Sequence, residues 1–319
     1  MRVVYLPAMR RFLGSSAALF TVIAIFGASA ASASPPACTG PLSQTTLYSD
    51  QGLLESVIVG NGGKLFYSGI PAGTTISRLY RADGPGATPT TVLDGPAGPG
   101  GLAWSGRRLL WGYGNTQANG TIGDVTPMAG LYSVNPTNGN KTVVSDHLGM
   151  ANGIARAADG TIYASNDFGS KLDRISRKGV TKNGWATVEK GNGMTVGKNG
   201  RYLYVNQTFV TPSAIAKIDT KDPSRVFTFY RSPEPNNVIF DGLARDNSNN
   251  LYTAVLAKGE VWKITPDKQA CVVASGLKNP SSVAISNAKT GYKAGNLYTV
   301  GFGGEVTEVR GAVKATVPN

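Results

Sequence analysis

Histidine is almost absent from this chain, since His147 is the single copy among 319 residues. One histidine cannot build a histidine-rich zinc site, and any Ser-His-Asp triad would depend on that one residue. The Gly-x-Ser-x-Gly motif that carries the nucleophilic serine of many hydrolases is also missing. These absences argue against histidine-based hydrolysis and direct attention to carboxylates and amides.

Long apolar runs and clusters of basic residues are missing as well. After Gly27 no stretch offers the roughly 20 apolar residues that cross a bilayer. The net charge is +12, but the lysines and arginines are scattered rather than grouped on one stripe, as a nucleic-acid-binding surface would require. We therefore expect a soluble monomer that acts on a small molecule, without a nucleic-acid partner and without stable membrane insertion.

The first 33 residues have the features of a signal peptide. A basic start with three arginines precedes an apolar stretch from Phe12 to Gly27, and small residues suited to cleavage follow it. The sequence thus predicts a signal peptide over residues 1–33, a single domain over residues 34–319, and a secreted or periplasmic location. A retained anchor is the alternative, although the apolar stretch is short for a membrane span.

Only two cysteines occur, Cys38 and Cys271. An even pair in an exported chain predicts a disulfide, because exported proteins meet oxidising conditions. Two free thiols are the alternative.

Six copies of one pattern occupy the rest of the chain. Each copy opens with a small or polar residue followed by Gly or Ser and an aliphatic residue, and a polar turn then leads to an aromatic strand. The openings are Glu55-Ser-Val, Gly100-Gly-Leu, Asn152-Gly-Ile, Asn192-Gly-Met, Asp241-Gly-Leu and Ser281-Ser-Val, spaced by 40 to 52 residues. Each copy contains short β-rich stretches. A four-stranded repeat of this length predicts an all-β fold, a six-bladed β-propeller with four-stranded blades.

The sixth copy lacks a clear fourth strand. Thr45–Tyr48, just before the first opening, would supply it, so we expect an N-terminal strand to close the ring and remove an exposed edge. Residues Ala312–Pro318 compete for the same place. With N-terminal closure, a Cys38–Cys271 bridge would join the closing strand to the fifth blade.

The six opening residues should meet, because the first strand of each propeller blade lines the central channel. Glu55 and Asp241 bring carboxylates, Asn152 and Asn192 bring amides, and Ser281 brings a hydroxyl. Two anions repel in a channel of low dielectric, and a hard divalent cation with oxygen ligands would balance them. We expect Ca²⁺, with Mn²⁺, Mg²⁺ and Zn²⁺ as alternatives. Each Asn-Gly or Asp-Gly alone is also a common turn dipeptide.

At these openings the chain resembles the gluconolactonase and senescence-marker (regucalcin-like) family of six-bladed propellers. The most similar stretch starts at Phe240-Asp-Gly-Leu-Ala-Arg and ends at Gly-Glu-Val-Trp-Lys-Ile264, and Asn192-Gly-Met is similar to the family's Asn-Gly-Leu motif. Glu55 stands where the family has its first metal-binding glutamate, although Ser56-Val57 replaces the usual Gly-Pro. The surroundings of Asn152 also differ from the commonest form of the motif.

The resemblance implies a metal-dependent hydrolase of a lactone or related ester. It implies that Glu55, Asn192 and Asp241 bind the metal, and that Asn152 binds substrate beside it. Asp241 would also serve as general base or nucleophile. The alternatives are a non-catalytic binding module with a structural metal, or a phosphotriesterase or strictosidine-synthase-like activity on the same scaffold.

Three further residues are secondary candidates. Ser281 is the opening residue of the sixth copy. His147 precedes Asn152 by five residues, which would suit the rim of the pocket, although an exposed loop position is the alternative. Asp167, within Ser165-Asn-Asp-Phe, would suit the pocket mouth.

Overall fold

A computed structural model describes residues 34–60 and 62–318. The signal peptide predicted over residues 1–33 lies outside the described residues. The described chain forms six antiparallel sheets of four strands each, and this arrangement confirms the predicted all-β propeller.

The strands of blades one to three follow a closing strand. The first strand is β1 (Ser43–Tyr48). Blade one contains β2 (Leu53–Val59), β3 (Leu65–Ile70), β4 (Ser77–Ala82) and β5 (Thr90–Gly95). Blade two contains β6 (Pro99–Ser105), β7 (Arg108–Tyr113), β8 (Ala129–Val134) and β9 (Lys141–Leu148). Blade three contains β10 (Ile154–Arg156), β11 (Ile162–Ala164), β12 (Lys171–Ile175) and β13 (Thr181–Thr187).

The remaining strands complete the ring. Blade four contains β14 (Gly191–Val196), β15 (Tyr202–Gln207), β16 (Ala214–Asp219) and β17 (Asp222–Arg231). Blade five contains β18 (Phe240–Arg245), β19 (Leu251–Val255), β20 (Glu260–Ile264) and β21 (Ala270–Ala274). Blade six contains β22 (Pro280–Ile285), β23 (Leu297–Gly301) and β24 (Val306–Arg310), with β1 as its outermost strand.

The first strands of the blades surround the channel. Each of β2, β6, β10, β14, β18 and β22 contacts the next, and β22 returns to contact β2. Since successive strands in a blade are antiparallel, the connection between second and third strands returns to the end where the first strand starts. All six openings and all six of these connections therefore lie at one end of the propeller.

Hydrophobic clusters fill the wedges between neighbouring blades. One cluster packs Tyr67 and Leu54 of blade one against Tyr298 of blade six, and another packs Trp111 of blade two against Leu79 of blade one. Each of the six clusters draws its residues from two adjacent blades. Because no blade buries its apolar faces alone, ring closure is needed to complete the core.

The N-terminal strand closes the ring, as the sequence predicts. In β1, Ser43 pairs with Arg310 and Thr46 with Thr307 of β24. The competing segment after β24 instead meets the chain before β1, through a bridge between Thr39 and Thr316.

The predicted disulfide is confirmed and lies beside this closure. Cys38 is bonded to Cys271 of β21, with the two Cα atoms 4.9 Å apart. The backbone N–H of Cys38 also donates to the carbonyl of Val272 over 2.9 Å. The segment that precedes β1 is therefore attached to blade five, whereas β1 itself pairs with blade six.

Helical structure is limited to two short pieces in the described residues. These are α1 (Gln117–Gly123), between β7 and β8, and a 3₁₀ turn at Leu256–Lys258. Thr116 starts α1 by accepting a hydrogen bond from the N–H of Asn119 at 3.2 Å. No helix in the described part of the chain has the length and apolarity to cross a membrane.

Candidate functional site

The opening residues converge on a recess at one end of the channel. Its volume is about 430 Å³, including its opening to solvent. The side chains of Glu55, Asn152, Asn192, Asp241 and Ser281 line it. The third residue of each opening also lines the recess and is apolar in all six copies, as Val57 and Leu243 are. Polar and apolar side chains therefore share the recess.

Glycines after the opening residues allow the six strands to approach this closely. A methyl group at Gly153 would overlap the carbonyl oxygen of Asn192, and one at Gly193 would overlap the carbonyl oxygen of Asp241. Any larger residue would push neighbouring inner strands apart. The Asn-Gly and Asp-Gly pairs therefore serve inter-blade packing here, and they are not turn dipeptides, since they lie within or directly before the inner strands.

Two carboxylates face this recess without a basic partner. Burial raises the pKa of Glu55 well above its usual value, and the charges of Asp241 and Asp167 raise it further. Burial likewise raises the pKa of Asp241, with a further contribution from Asp167. In the described residues, neither carboxylate has a lysine, arginine or histidine among its charged neighbours. When ionised, Glu55 and Asp241 would therefore carry charge that no basic side chain of the described residues offsets.

Amide side chains hold both carboxylates in place. Asn115 Nδ2 donates to Glu55 Oε1 at 3.0 Å and to the carbonyl oxygen of Pro99 at 3.0 Å. Asn192 hydrogen-bonds to the carboxylate of Asp241 and lowers its pKa against the effect of burial. Each amide comes from the blade next to that of its carboxylate, and the two contacts direct Glu55 of blade one and Asp241 of blade five toward the same recess.

Asp167 joins the same electrostatic cluster. Burial raises its pKa to about 7, although its own backbone N–H, the charge of Lys190 and a hydrogen bond from Asn152 oppose the rise. Its Oδ1 atom is buried and has no hydrogen-bond partner among the described residues. The structure thus brings this secondary candidate close enough to influence Glu55 and Asp241.

The residues at the recess fit a hard divalent cation. Such ions take carboxylate and amide oxygens, and a charge of +2 would offset the unpaired anions. Glu55, Asn192 and Asp241 are the residues that would hold it. Within residues 34–60 and 62–318, no group of three His, Cys, Asp or Glu side chains is placed to bind a metal ion. Amide oxygens would therefore have to complete the ligand set.

The other two secondary candidates have different environments. Ser281 lines the recess, but its hydroxyl donates to the carbonyl oxygen of Leu54 at 2.7 Å and so ties blade six to blade one. His147 is exposed on β9, the outermost strand of blade two, and pairs with Asp146 at 2.5 Å. It does not line the recess, because the chain returns to the channel only after Leu148. The expectation of a rim position for His147 is not met.

The segment Asn115–Met128 is the part of the site that sequence reasoning missed. No motif in the sequence marks Asn115 as a partner of Glu55. The structure anchors its far end as well. Asp124 accepts hydrogen bonds from the backbone N–H of Ser170 at 2.7 Å and from Asn166 Nδ2 at 3.1 Å. The segment is therefore fastened to blade three.

Several solved structures share this fold at low sequence identity. The gluconolactonase XC5397 from Xanthomonas campestris is 17% identical, with a TM-score of 0.69 over 87% of this chain and 95% of that one. A luciferin-regenerating enzyme is 12% identical, with a TM-score of 0.64 over 86% and 97%. A chain of a nidogen/laminin complex is 16% identical, with a TM-score of 0.52 over 78% and 84%. At these identities the likeness shows the fold alone.

Sequence comparison points to one family. No curated protein matches the chain. The signature described as "SMP-30/Gluconolactonase/LRE-like region" matches residues 169–298, which contain Asn192 and Asp241. The resemblance to the gluconolactonase and senescence-marker family is thereby confirmed: the chain is a six-bladed propeller that carries an SMP-30/gluconolactonase/LRE-like region.

Proposed function

We propose that this protein is an exported, metal-dependent hydrolase of lactones or related esters, with Ca²⁺ as the expected cation. One observation carries the proposal. Glu55 and Asp241 meet in a buried recess without a cationic partner, on a propeller with a gluconolactonase-like region. Structural stability alone does not explain two unpaired carboxylates there, because burying unpaired charge is costly.

Asp241 is the residue proposed to act on the substrate. Its carboxylate could remove a proton from a water molecule that attacks the ester carbonyl, or attack the carbonyl itself. By either route water is consumed, the ring C–O bond breaks, and the product is a hydroxy acid. Asn192 orients the Asp241 carboxylate by a hydrogen bond, and Asn152 lies beside them to orient the substrate.

A cation bound by Glu55, Asn192 and Asp241 would polarise the carbonyl and stabilise developing negative charge. Asp167 adds a third buried carboxyl group, close enough to Glu55 and Asp241 to raise the pKa of both. Its free Oδ1 can accept a hydrogen bond from substrate or water.

A pH-stat assay with a lactone panel tests the proposal. Asp241→Asn should lower kcat/KM by about a hundredfold or more, the size of effect typical for loss of a general base. Asp267→Asn, at an exposed turn between β20 and β21, serves as the matched control and should retain activity. Chelation should remove activity, and added Ca²⁺, Mn²⁺, Mg²⁺ or Zn²⁺ should restore it to different extents.

Different failures have different meanings. Undiminished turnover by Asp241→Asn would reject its assigned role. An absence of lactone turnover, combined with stabilisation by metal, would favour the binding module with a structural cation. Turnover of phosphotriesters but not of lactones would reject lactone hydrolysis and would still support the assignment of the active site to this recess.

Export is supported by the Cys38–Cys271 disulfide, because such bonds persist in oxidising compartments. We expect the secreted or periplasmic protein to begin near residue 34 and to elute as a monomer. Intact mass and size-exclusion chromatography of the protein recovered outside the cytoplasm test both points.

A further inference from the structure

The end of the propeller that holds the recess also exposes much of the apolar surface. Nine large hydrophobic residues of the described chain are exposed, and five of them lie on the connections between second and third strands. These five are Ile76, Ile122, Val125, Met128 and Phe209. The other four lie on outer strands or at the opposite end, and they do not surround a recess. The clustering at the site end therefore needs its own explanation.

Three of the five residues lie on one segment, Asn115–Met128, whose first residue reaches the recess. Asn115, at the start of the segment containing α1, contacts Glu55, and the carbonyl of Gly120 in α1 accepts a hydrogen bond from Asn166 at 2.9 Å. The segment thus runs from the carboxylate of blade one to the loop that follows β11 in blade three. Ile122, with 46% of its surface exposed, follows Gly120 by two residues on this segment.

Two phenylalanines extend the surface onto blade four. Phe168 packs on Phe209 with ring centroids 5.4 Å apart and ring planes tilted by 47°, and the backbone of Gly120 packs against Phe168. Phe168 directly follows Asp167, whose carboxylate interacts with Asn152 in the recess. We refer to these residues as the apolar rim. It consists of Ile122, Val125, Met128, Phe168 and Phe209.

The apolar rim is held firmly in its exposed position. Asp124 accepts hydrogen bonds from the N–H and hydroxyl of Ser170, at 2.7 and 3.0 Å, and from Asn166 Nδ2. Its neighbour Val125 is 88% exposed, although apolar side chains gain free energy by leaving water. Apolar surface kept exposed at the mouth of a cleft is typical of a ligand-binding site.

We propose that the substrate carries an alkyl or acyl chain on its lactone ring, and that this chain lies along the apolar rim while the carbonyl enters the recess. This inference rests on the proposed lactone hydrolysis. The hydroxyl groups of a sugar lactone would leave the apolar rim uncovered, whereas an alkyl chain would bury it. Because Phe168 follows Asp167, which interacts with Asn152 in the recess, a chain packed on Phe168 and Phe209 would start next to the reacting group.

The test compares lactones that differ only in chain length. The protein purified from outside the cytoplasm is assayed in a Ca²⁺-supplemented pH-stat on δ-valerolactone, its pentyl and heptyl derivatives, and D-glucono-δ-lactone. A fully buried methylene corresponds to about a fourfold gain. We therefore expect kcat/KM for the heptyl compound to exceed that for the unsubstituted ring by at least about tenfold, since partial burial reduces the gain per methylene.

Variants locate the effect. Val125→Ser and Phe209→Ser should each lower the heptyl-to-unsubstituted ratio about threefold or more. Val180→Ser is the matched control, because Val180 is 65% exposed on the connection between β12 and β13, at the other end of the propeller. It should leave the ratio unchanged. All three positions are exposed, so folding should survive, and circular dichroism checks this.

Each outcome supports or overturns one statement. Lactone turnover without chain-length preference, or with preference for the sugar lactone, overturns the inference and leaves the proposed function standing. A preference that the rim variants do not change overturns the placement on the rim. No turnover of any lactone overturns the proposed function itself. Loss of lipid-vesicle binding in Val125→Ser, with unchanged kinetics, would identify the rim as a membrane-contact surface and overturn the inference.

Discussion

Removing the Cys38–Cys271 bond should cost a large part of the stability of this fold. The two residues are 233 positions apart, so the bond closes a very large loop in the unfolded chain. Loop-closure entropy for that length corresponds to about 5 kcal/mol at 25 °C, which is an upper value because native bonds typically contribute 2–5 kcal/mol. For a domain of this size that loss would lower Tm by roughly 10 °C.

The double variant Cys38→Ala/Cys271→Ala is suited to measure this. Guanidinium unfolding at neutral pH should give a lower free energy of unfolding and a larger m-value, because the unfolded chain without a cross-link exposes more surface. The folded state should change little, since the backbone hydrogen bond from Cys38 to Val272 and the pairing of β1 with β24 remain.

A loss below about 1 kcal/mol would refute this reasoning, because it lies under the usual range for a native disulfide. It would mean that the unfolded chain already keeps the segment before β1 near blade five. Reduced wild-type protein provides the second measurement. It should unfold like the double variant, and a difference between them would show that the alanines themselves disturb the packing.

Two further predictions follow from individual contacts. Burial raises the pKa of Glu308, but hydrogen bonds from Tyr298, Arg310 and Asn296 outweigh it and leave the pKa below its usual value of 4.5. The wild-type protein should therefore have a higher free energy of unfolding than Glu308→Gln, with the full difference above about pH 5.5 and a smaller one as pH falls below 4.5. Urea unfolding at several pH values measures this difference, and a difference that does not change with pH would contradict the prediction. Gly193→Ala should lower the free energy of unfolding by about 1–3 kcal/mol and reduce lactone turnover, because the added methyl group would displace the backbone of Asp241. The control Gly84→Ala places its methyl group in open space, so it should change neither the unfolding curve nor the turnover measured in the pH-stat.

The sequence was sufficient for the architecture because the fold is repetitive. The aromatic residue of the second strand recurs in each copy and packs in the wedges, as Tyr67, Trp111 and Tyr298 do without exposure to solvent. The opening residues could be aligned with one another, and this alone predicted that Glu55 and Asp241 would share a recess.

The connections between strands could not be predicted in this way, because each occurs once. Asn115 contacts Glu55 across 60 positions of sequence, and Asp124, at the far end of the same segment, contacts Ser170 of blade three across 46 positions. His147 shows the reverse error. Its closeness to Asn152 in sequence suggested closeness in space, but one residue ends a blade at its outer edge and the other starts the next blade at the channel.

The strand that closes the ring imposes an order on biosynthesis. β1 leaves the ribosome before any blade, yet its partner β24 is made only after five blades exist. Until then the nascent chain presents an open sheet edge and the unfilled wedge between the first and last blades. Late, long-range pairing of this kind is slow and prone to aggregation. A cell making this protein therefore has to shield an unfinished propeller until its two terminal segments can meet.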